Sequence, residues 1–436
     1  MLFDNNAFAH SPMNTSIMKP NCLLTVALLA LPGTATAAIN TWDDPGSLHA
    51  WLTTENWSLN AVPTASDIAQ FANSGSANSC GINMNTTGGN VTIRAVEVTS
   101  ARTRVLTIGN SSSTAGVLTL NGGTVNGVAN TILRNASTSL FTLRDSENST
   151  VRTMDVVIAN PGSIIAAEGP ITIGSKLSGP GFTKTGADTL TLTGSNVFSG
   201  PITVDAGTLA LSAATSLAGA SLITIQSGAS IDGSAAGLTL AVNQTLSGHG
   251  TITGNLNIAG TLSPGSSPGI LTVNGKTTWL PGGNFDWQIL DVDAGPGNGW
   301  DALAIDGALD LSQLTAADPF SLNLWSLAPG TPDEVNGDVP GFLGSQNYTW
   351  SIATATDGIT GFNAANFHIE IAPIGGTGGF TNDLAPGGSF DLVVSGNSLD
   401  LVYSSNSAVP EPASGLATAG LLASALLLRR RIRTAG

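Results

Sequence analysis

Charge is what this chain of 436 residues has least of. Only 10% of the residues are charged, 14 Lys or Arg against 29 Asp or Glu, for a formal net charge of −15. A globular domain ordinarily carries more than twice that fraction. So small and outnumbered a cationic set excludes a nucleic-acid binder, which needs Lys and Arg to release condensed counterions. No Lys or Arg falls between Lys276 and Arg429, while Asp and Glu recur through the interval. It reads as a solvated acidic surface that favours solubility. Cysteine is nearly missing too: Cys22 lies in a segment expected to be removed, which leaves Cys80 a lone thiol. That excludes a disulfide framework and a cysteine metal site. With two Tyr in all, the aromatic girdles of a C-terminal membrane barrel are also excluded.

The usual chemistry is equally sparse. Neither G-x-S-x-G nor H-E-x-x-H occurs. The four histidines, His10, His49, His249 and His368, are far apart in sequence, and Asp188, Asp205 and Asp232 read as turn residues. Asp291, Asp293, Asn298 and Asp301 are spaced faintly like a calcium loop but lack its closing Glu. Thr189, Thr191 and Thr193 place hydroxyls on one strand face, where Thr is simply a good exposed strand residue. We therefore expect no catalytic residue, no metal, no cofactor and no enzyme activity.

What is present is glycine, 53 residues of it, between short runs of Val, Ile, Leu and Thr. The stretch 179–212, GPGFTKTGADTLTLTGSNVFSGPITVDAGTLALS, holds three such runs: TLTLT at 189–193, PITV at 201–204 and TLAL at 208–211. Each alternates apolar with small polar residues, the period of a strand that buries one face. Each is bounded by Gly, Asn or Asp, residues suited to turns. None is long enough to make a stable sheet alone, so neighbours of the same kind must stack on it. Similar runs recur from Val91 to Gly275, among them VLTI at 105–108, VLTL at 117–120, LITI at 222–225 and ILTV at 270–273. Recurrence without long connections favours a solenoid over an antiparallel sandwich.

Phe182, Lys184, Gly186, Thr189, Leu190, Leu192, Gly194, Ser199, Gly200, Thr203, Val204, Gly207, Thr208, Leu209 and Leu211 match a pattern, F-x-K-x-G-x-x-T-L-x-L-x-G followed by S-G and T-V-x-x-G-T-L-x-L. The segment closely resembles the autotransporter-associated β-strand repeat, and the resemblance implies an extracellular β-solenoid. Two flanking motifs extend it. N-W-S-x-x-x-x-P-x-x-x-D-x-A-x-F at 56–71 resembles the opening of large secreted proteins with this repeat, and TLSPGSSPG at 261–269 resembles the element that ends the repeat region. In the resembling family, a glycine-rich hairpin follows at about 290–300, then an Asp that starts the next strand.

The ends carry address signals. After Lys19 an apolar run of about ten residues leads to Pro32, Gly33 and an A-x-A site, so we expect a signal peptide over 1–37, with Met18 an alternative start. Ala35 and Ala37 flank the cleavage site and Ala38 becomes the first mature residue. Trp42, Trp51 and Trp57 follow in a segment, 38–90, expected to cap the open end of the solenoid; a sugar-stacking platform is the competing reading. The solenoid is expected over 91–275 and a β-rich C-terminal region over 276–405. At 409–436, Pro410-Glu411-Pro412 precedes sixteen uncharged residues and then Arg429, Arg430, Arg431 and Arg433. The apolar segment is slightly short for a spanning helix, but flanking arginines can snorkel and lengthen it, and they should remain cytoplasmic. The three parts together resemble the PEP-CTERM sorting signal, which implies transient inner-membrane insertion, an exosortase as processing partner, and final residence at the cell surface or in exopolysaccharide.

The expected fold class is thus all-β: a right-handed parallel β-helix (β-solenoid) with a β-rich C-terminal cap, a signal helix at the N-terminus and a transmembrane sorting helix at the C-terminus. The expected function is structural or adhesive, with exopolysaccharide or other surface components as partners. The competing class is a secreted carbohydrate-active β-helix enzyme or polysaccharide-binding module. It requires a groove in which carboxylates converge with a basic residue.

Overall fold

Alternation along the short runs becomes an inside and an outside. In Thr189–Leu192, Leu190 and Leu192 are buried while Thr189 and Thr191 are half-exposed, and Thr208–Leu211 repeats the pattern with Leu209 and Leu211 inside. The computed structural model describes residues 37–406 except 44–49, 73–79, 84–89, 111–114, 146–152, 213–216, 266–267, 331–334 and 375–377. Ala35 with the rest of the signal segment before Ala37, and the tail with Pro410, Glu411, Pro412, Arg429, Arg430 and Arg431, lie outside the described residues, as do both expected terminal helices.

The described fold is all-β and solenoid-like. A 15-stranded and a 13-stranded sheet run nearly its whole length, and two five-stranded sheets cover a third side, one for the early strands and one for the late ones. Successive strands visit the sheets in turn. After Phe182–Thr185 in the first sheet and Thr189–Leu192 in the second comes the short Val197–Phe198 in the third, before Ile202–Val204 returns to the first. Nearly all pairing between rungs is parallel. A parallel pair needs a crossover, and here the rest of the coil supplies it.

Register aligns like with like. On the inner side of the second sheet one unbroken ladder runs Leu106, Phe141, Ile171, Leu190, Leu209, Ile231, Ile252, Val273, Ile305. Every member is essentially free of solvent. Burying each such side chain is worth about 1.5–3 kcal/mol, a gain no coil obtains without neighbours above and below. A one-residue slip would turn the whole ladder outward.

A charged residue breaks this rule in the first sheet. In the first sheet the inner ladder reads Leu133, Ile165, Lys184, Val204, Ile225, so a lysine occupies an aliphatic slot. Lys184 is fully buried. Its Nζ donates to the carbonyls of Gly186 at 2.6 Å, Asp188 at 2.5 Å and Ala206 at 2.7 Å. The first two belong to its own turn and the third to the next coil, so the ammonium stitches two coils at one corner. Burial pushes Lys184 down to about 8 and the Asp188 charge opposes this, so the side chain is still protonated at neutral pH. The corner is also why glycine is required at 207: its φ is +65°, and a Cβ there would sit 2.6 Å from Lys184 Nζ and from the carbonyl oxygens of Gly186 and Asp188.

Outside the first sheet, at its early end, polar side chains do the stitching. Thr41, Gln70, Glu97 and Arg134 are register partners on four successive rungs. Gln70 donates to Glu97 at 2.9 Å, and Arg134 bridges Glu97 at 2.7 Å and Glu168 at 2.8 Å.

At the N-terminal end, Ala38–Thr41 pairs in parallel with Asp67–Phe71, and Trp42, Trp51 and Trp57 are buried against Phe71. Trp57 lies edge-on to both other indoles with centroids 4.9 Å apart, and its Nε1 donates to the Trp51 carbonyl at 2.8 Å. Rings so enclosed offer no sugar-stacking platform; they fill the first rungs. At the other end the parallel order stops. Tyr348–Ala355 pairs antiparallel with Ser398–Ser404, which pairs antiparallel with Ser389–Ser395. Phe342, Trp350, Phe380 and Tyr403 form an aromatic mass beneath them. Parallel pairing itself continues past Gly275 without a break, because 270–274 pairs with 302–306 and Asn284–Ile289 with Phe320–Ala328.

Several strands differ from the sequence expectation. Val105 is outside the strand, which starts at Leu106. Val128–Asn135, Phe141–Arg144 and Met154–Ile158 make one coil and Ile164–Ala167 opens the next, in a stretch with no recognisable runs. Asn, Arg and Asp on their outer faces obscure the alternation.

Candidate functional site

The glycine-rich hairpin stands where the resemblance places it. Leu290 N bonds the Gly299 carbonyl at 2.7 Å, and the strand Ala302–Asp306 follows. Asp301 does not face outward as a calcium ligand. It is fully buried, one oxygen accepting from Gly269 N at 2.8 Å and the other from Gln288 N at 2.9 Å. Burial pushes its carboxyl well up, and the two amide bonds pull it back. Asp291 accepts from Asp293 N instead. Among the described residues no group of three His, Cys, Asp or Glu is placed to hold a metal.

The surface feature that the sequence did not expose is a groove of about 490 Å³ over the late rungs of the first sheet. Its floor is set by register. Asn284, Ser321 and His368 are partners on three successive parallel strands, with Thr261 on the rung before, and Asp286, Asn323 and Glu370 are partners two residues further along. All alternate with inward-facing residues, Phe285 and Trp287 on one strand and Leu322 and Leu324 on the next, so they stand on the outer face. Trp325 and Ile374 complete the lining.

The polar groups are held in place. Asp286 is half-buried and accepts from Asn323 Nδ2 at 2.7 Å; burial pushes its carboxyl up and that bond opposes the shift. Glu370 is held below its ordinary value, chiefly by accepting from Ala372 N at 2.7 Å, with His368 Nε2 also 3.5 Å from its second oxygen. Gly378, with φ +73°, lies against the indole of Trp325: a Cβ there would come within 2.5 Å of the ring. That contact fixes the indole while it still lines the groove. Asp286 and Glu370 are two rungs apart, on the order of 9–10 Å at the backbone.

Of the sequence-predicted residues, Ala37 is half-buried against the small cluster of Ile68, Ala95 and Val125, and Ala38 begins the first strand. Asp188, Asp205 and Asp232 sit at or beside turns and are not brought together. Of the two histidines among the described residues, His368 stands beside Glu370 and lines the same groove as Asp286, and it does so because 367–370 returns to the first sheet beside Phe320–Ala328. A hint was readable in FHIE, where His and Glu alternate with apolar residues. Nothing in the sequence linked it to Asp286.

Two findings from known proteins bear on this arrangement. No curated protein matches the chain. The family model described as passenger-associated-transport-repeat matches residues 182–211, the coil that carries Lys184 and its corner. That match suggests a surface-exposed or secreted protein built on β-repeats.

Proposed function

We propose that the protein is a structural or adhesive component of the cell surface or extracellular matrix, exported by its signal peptide and released from the inner membrane by an exosortase. The observation that carries the reading is the long, mostly parallel stack with hydrogen-bonded rungs, in a chain bearing few charges. Stacked in this way as a right-handed β-helix, the coils would be durable and offer little for a protease to grip. The repeat match at 182–211 supports export, and the PEP, apolar segment and arginine series supports the route. Fractionating cells that express the chain with and without the arginines at 429–433 tests it. The intact chain should be shortened and appear at the surface, and the altered chain should stay full length in the inner membrane. Equal size and location for both would refute the sorting route.

The groove favours a second reading, a polysaccharide-binding module. Both Glu370 oxygens are engaged and one Asp286 oxygen is held by Asn323, which suits fixed hydrogen-bond acceptors better than a proton donor and nucleophile facing a scissile bond.

A further inference from the structure

We propose that the late groove of the first sheet, together with the hydroxyl row that runs into it, binds a polysaccharide of neutral or amino sugars, laid along the stack with one pyranose ring seated on Trp325. The inference rests on the polysaccharide-binding reading and specifies its ligand. It starts from register. On the outer side of the first sheet, Thr183, Thr203, Thr224, Ser247 and Ser263 are partners on five successive rungs. Leu262 is the partner of Phe285, which sets Ser263 beside Asp286, and the row continues through Asn323 to Glu370. One line of polar side chains therefore enters the groove at roughly 4.8 Å per rung. That interval is close to the repeat of a pyranose in an extended chain.

The composition of the line selects the ligand. A hydroxyl donates one hydrogen bond and accepts two. Thr224 and Ser247 are 3.0 Å apart, which uses only part of that capacity. Asn323, Asp286, Glu370 and His368 add planar acceptors and donors, which can meet vicinal sugar hydroxyls in pairs. The indole of Trp325 is the apolar element that a sugar's C–H face stacks on, and its pinning by Gly378 removes most of the ordering cost of that contact. A peptide anchored by large apolar side chains would find only Ile374 besides the indole. No Lys or Arg lines the groove while two carboxylates do, so a polyuronate would meet repulsion and an amino sugar attraction.

Titration calorimetry and Trp fluorescence on the full chain test this with three probes: cellohexaose, a glucosamine hexamer, and a hexamer of galacturonate. The first or second should bind saturably, and the galacturonate hexamer at least tenfold more weakly. Trp325→Ala should weaken binding at least tenfold and abolish the fluorescence change. Glu370→Gln, an isosteric change at a half-exposed side chain whose amide oxygen can still accept from Ala372 N, should weaken it severalfold with the thermal midpoint little changed, so misfolding cannot imitate the result. The proposal is overturned if neither cellohexaose nor the glucosamine hexamer binds at millimolar concentration, or if the galacturonate hexamer binds as well as either. It is equally overturned if both variants keep full affinity, or if a bound hexamer is hydrolysed. Failure here leaves export and the structural role standing, because cell fractionation reads those separately.

Discussion

Replacing Lys184 with Met keeps the length and apolar stem that pack between Ile165 and Val204 but removes the ammonium. Three carbonyls, those of Gly186, Asp188 and Ala206, then lose their donor. Hydrogen bonds to a charged group contribute about 1.5–3 kcal/mol each. Against that stands the desolvation of the ammonium, several kcal/mol, which the Met variant no longer bears. The net expectation is about 3–5 kcal/mol of lost stability, because three buried acceptors left unpaired at about 1–3 kcal/mol each outweigh part of that relief. Because each coil depends chiefly on its neighbours, the loss should be local. Amide exchange in Thr189–Leu192 and Thr208–Leu211 should accelerate by about a hundred- to a few thousand-fold, at a factor of ten per 1.4 kcal/mol. Exchange in Ile270–Asn274 should stay as it was. Acceleration of less than tenfold in the first two strands would show that water or backbone adjustment replaces the ammonium, and would refute the stitching role.

Two further perturbations probe the ends of the stack. Trp57→Ala leaves a void between two indoles 4.9 Å away on either side and should cost about 3–5 kcal/mol; limited proteolysis should then cut within 38–71, and an uncut N-terminus would count against a closing role for the indoles. For Asp301, the folded carboxyl titrates above its unfolded value, so the native state holds more protons between the two and its stability contribution declines as pH rises through that window. Asp301→Asn removes the titration but turns an amide NH₂ toward one of two backbone donors, so it should be less stable throughout. The gap in thermal midpoint between wild type and variant should narrow from pH 4 to pH 8, and a constant gap would contradict the burial argument.

Local chemistry determined much of this protein before any fold was assembled. The alternation in TLTLT and TLAL, with glycines between, was enough to specify short strands with Leu190, Leu192, Leu209 and Leu211 inside. A strand's period is a property of the backbone, and apolar side chains leave water wherever that period permits. The scarcity of Lys and Arg likewise excluded nucleic acid without reference to shape. Three things waited for the tertiary structure. The Gly186 and Asp188 carbonyls are local to Lys184 in the chain, and only the coil stacked beside it brings the Ala206 carbonyl that completes its set of acceptors. The tryptophans at 42, 51 and 57 read as a cap with a platform as the competing reading, and only packing against Phe71 excludes the platform. Asp286 and Glu370 are separated by most of two coils of chain, and their meeting depends on parallel register across Asn323. Register is set by the summed burial of every ladder at once, so no single segment contains it.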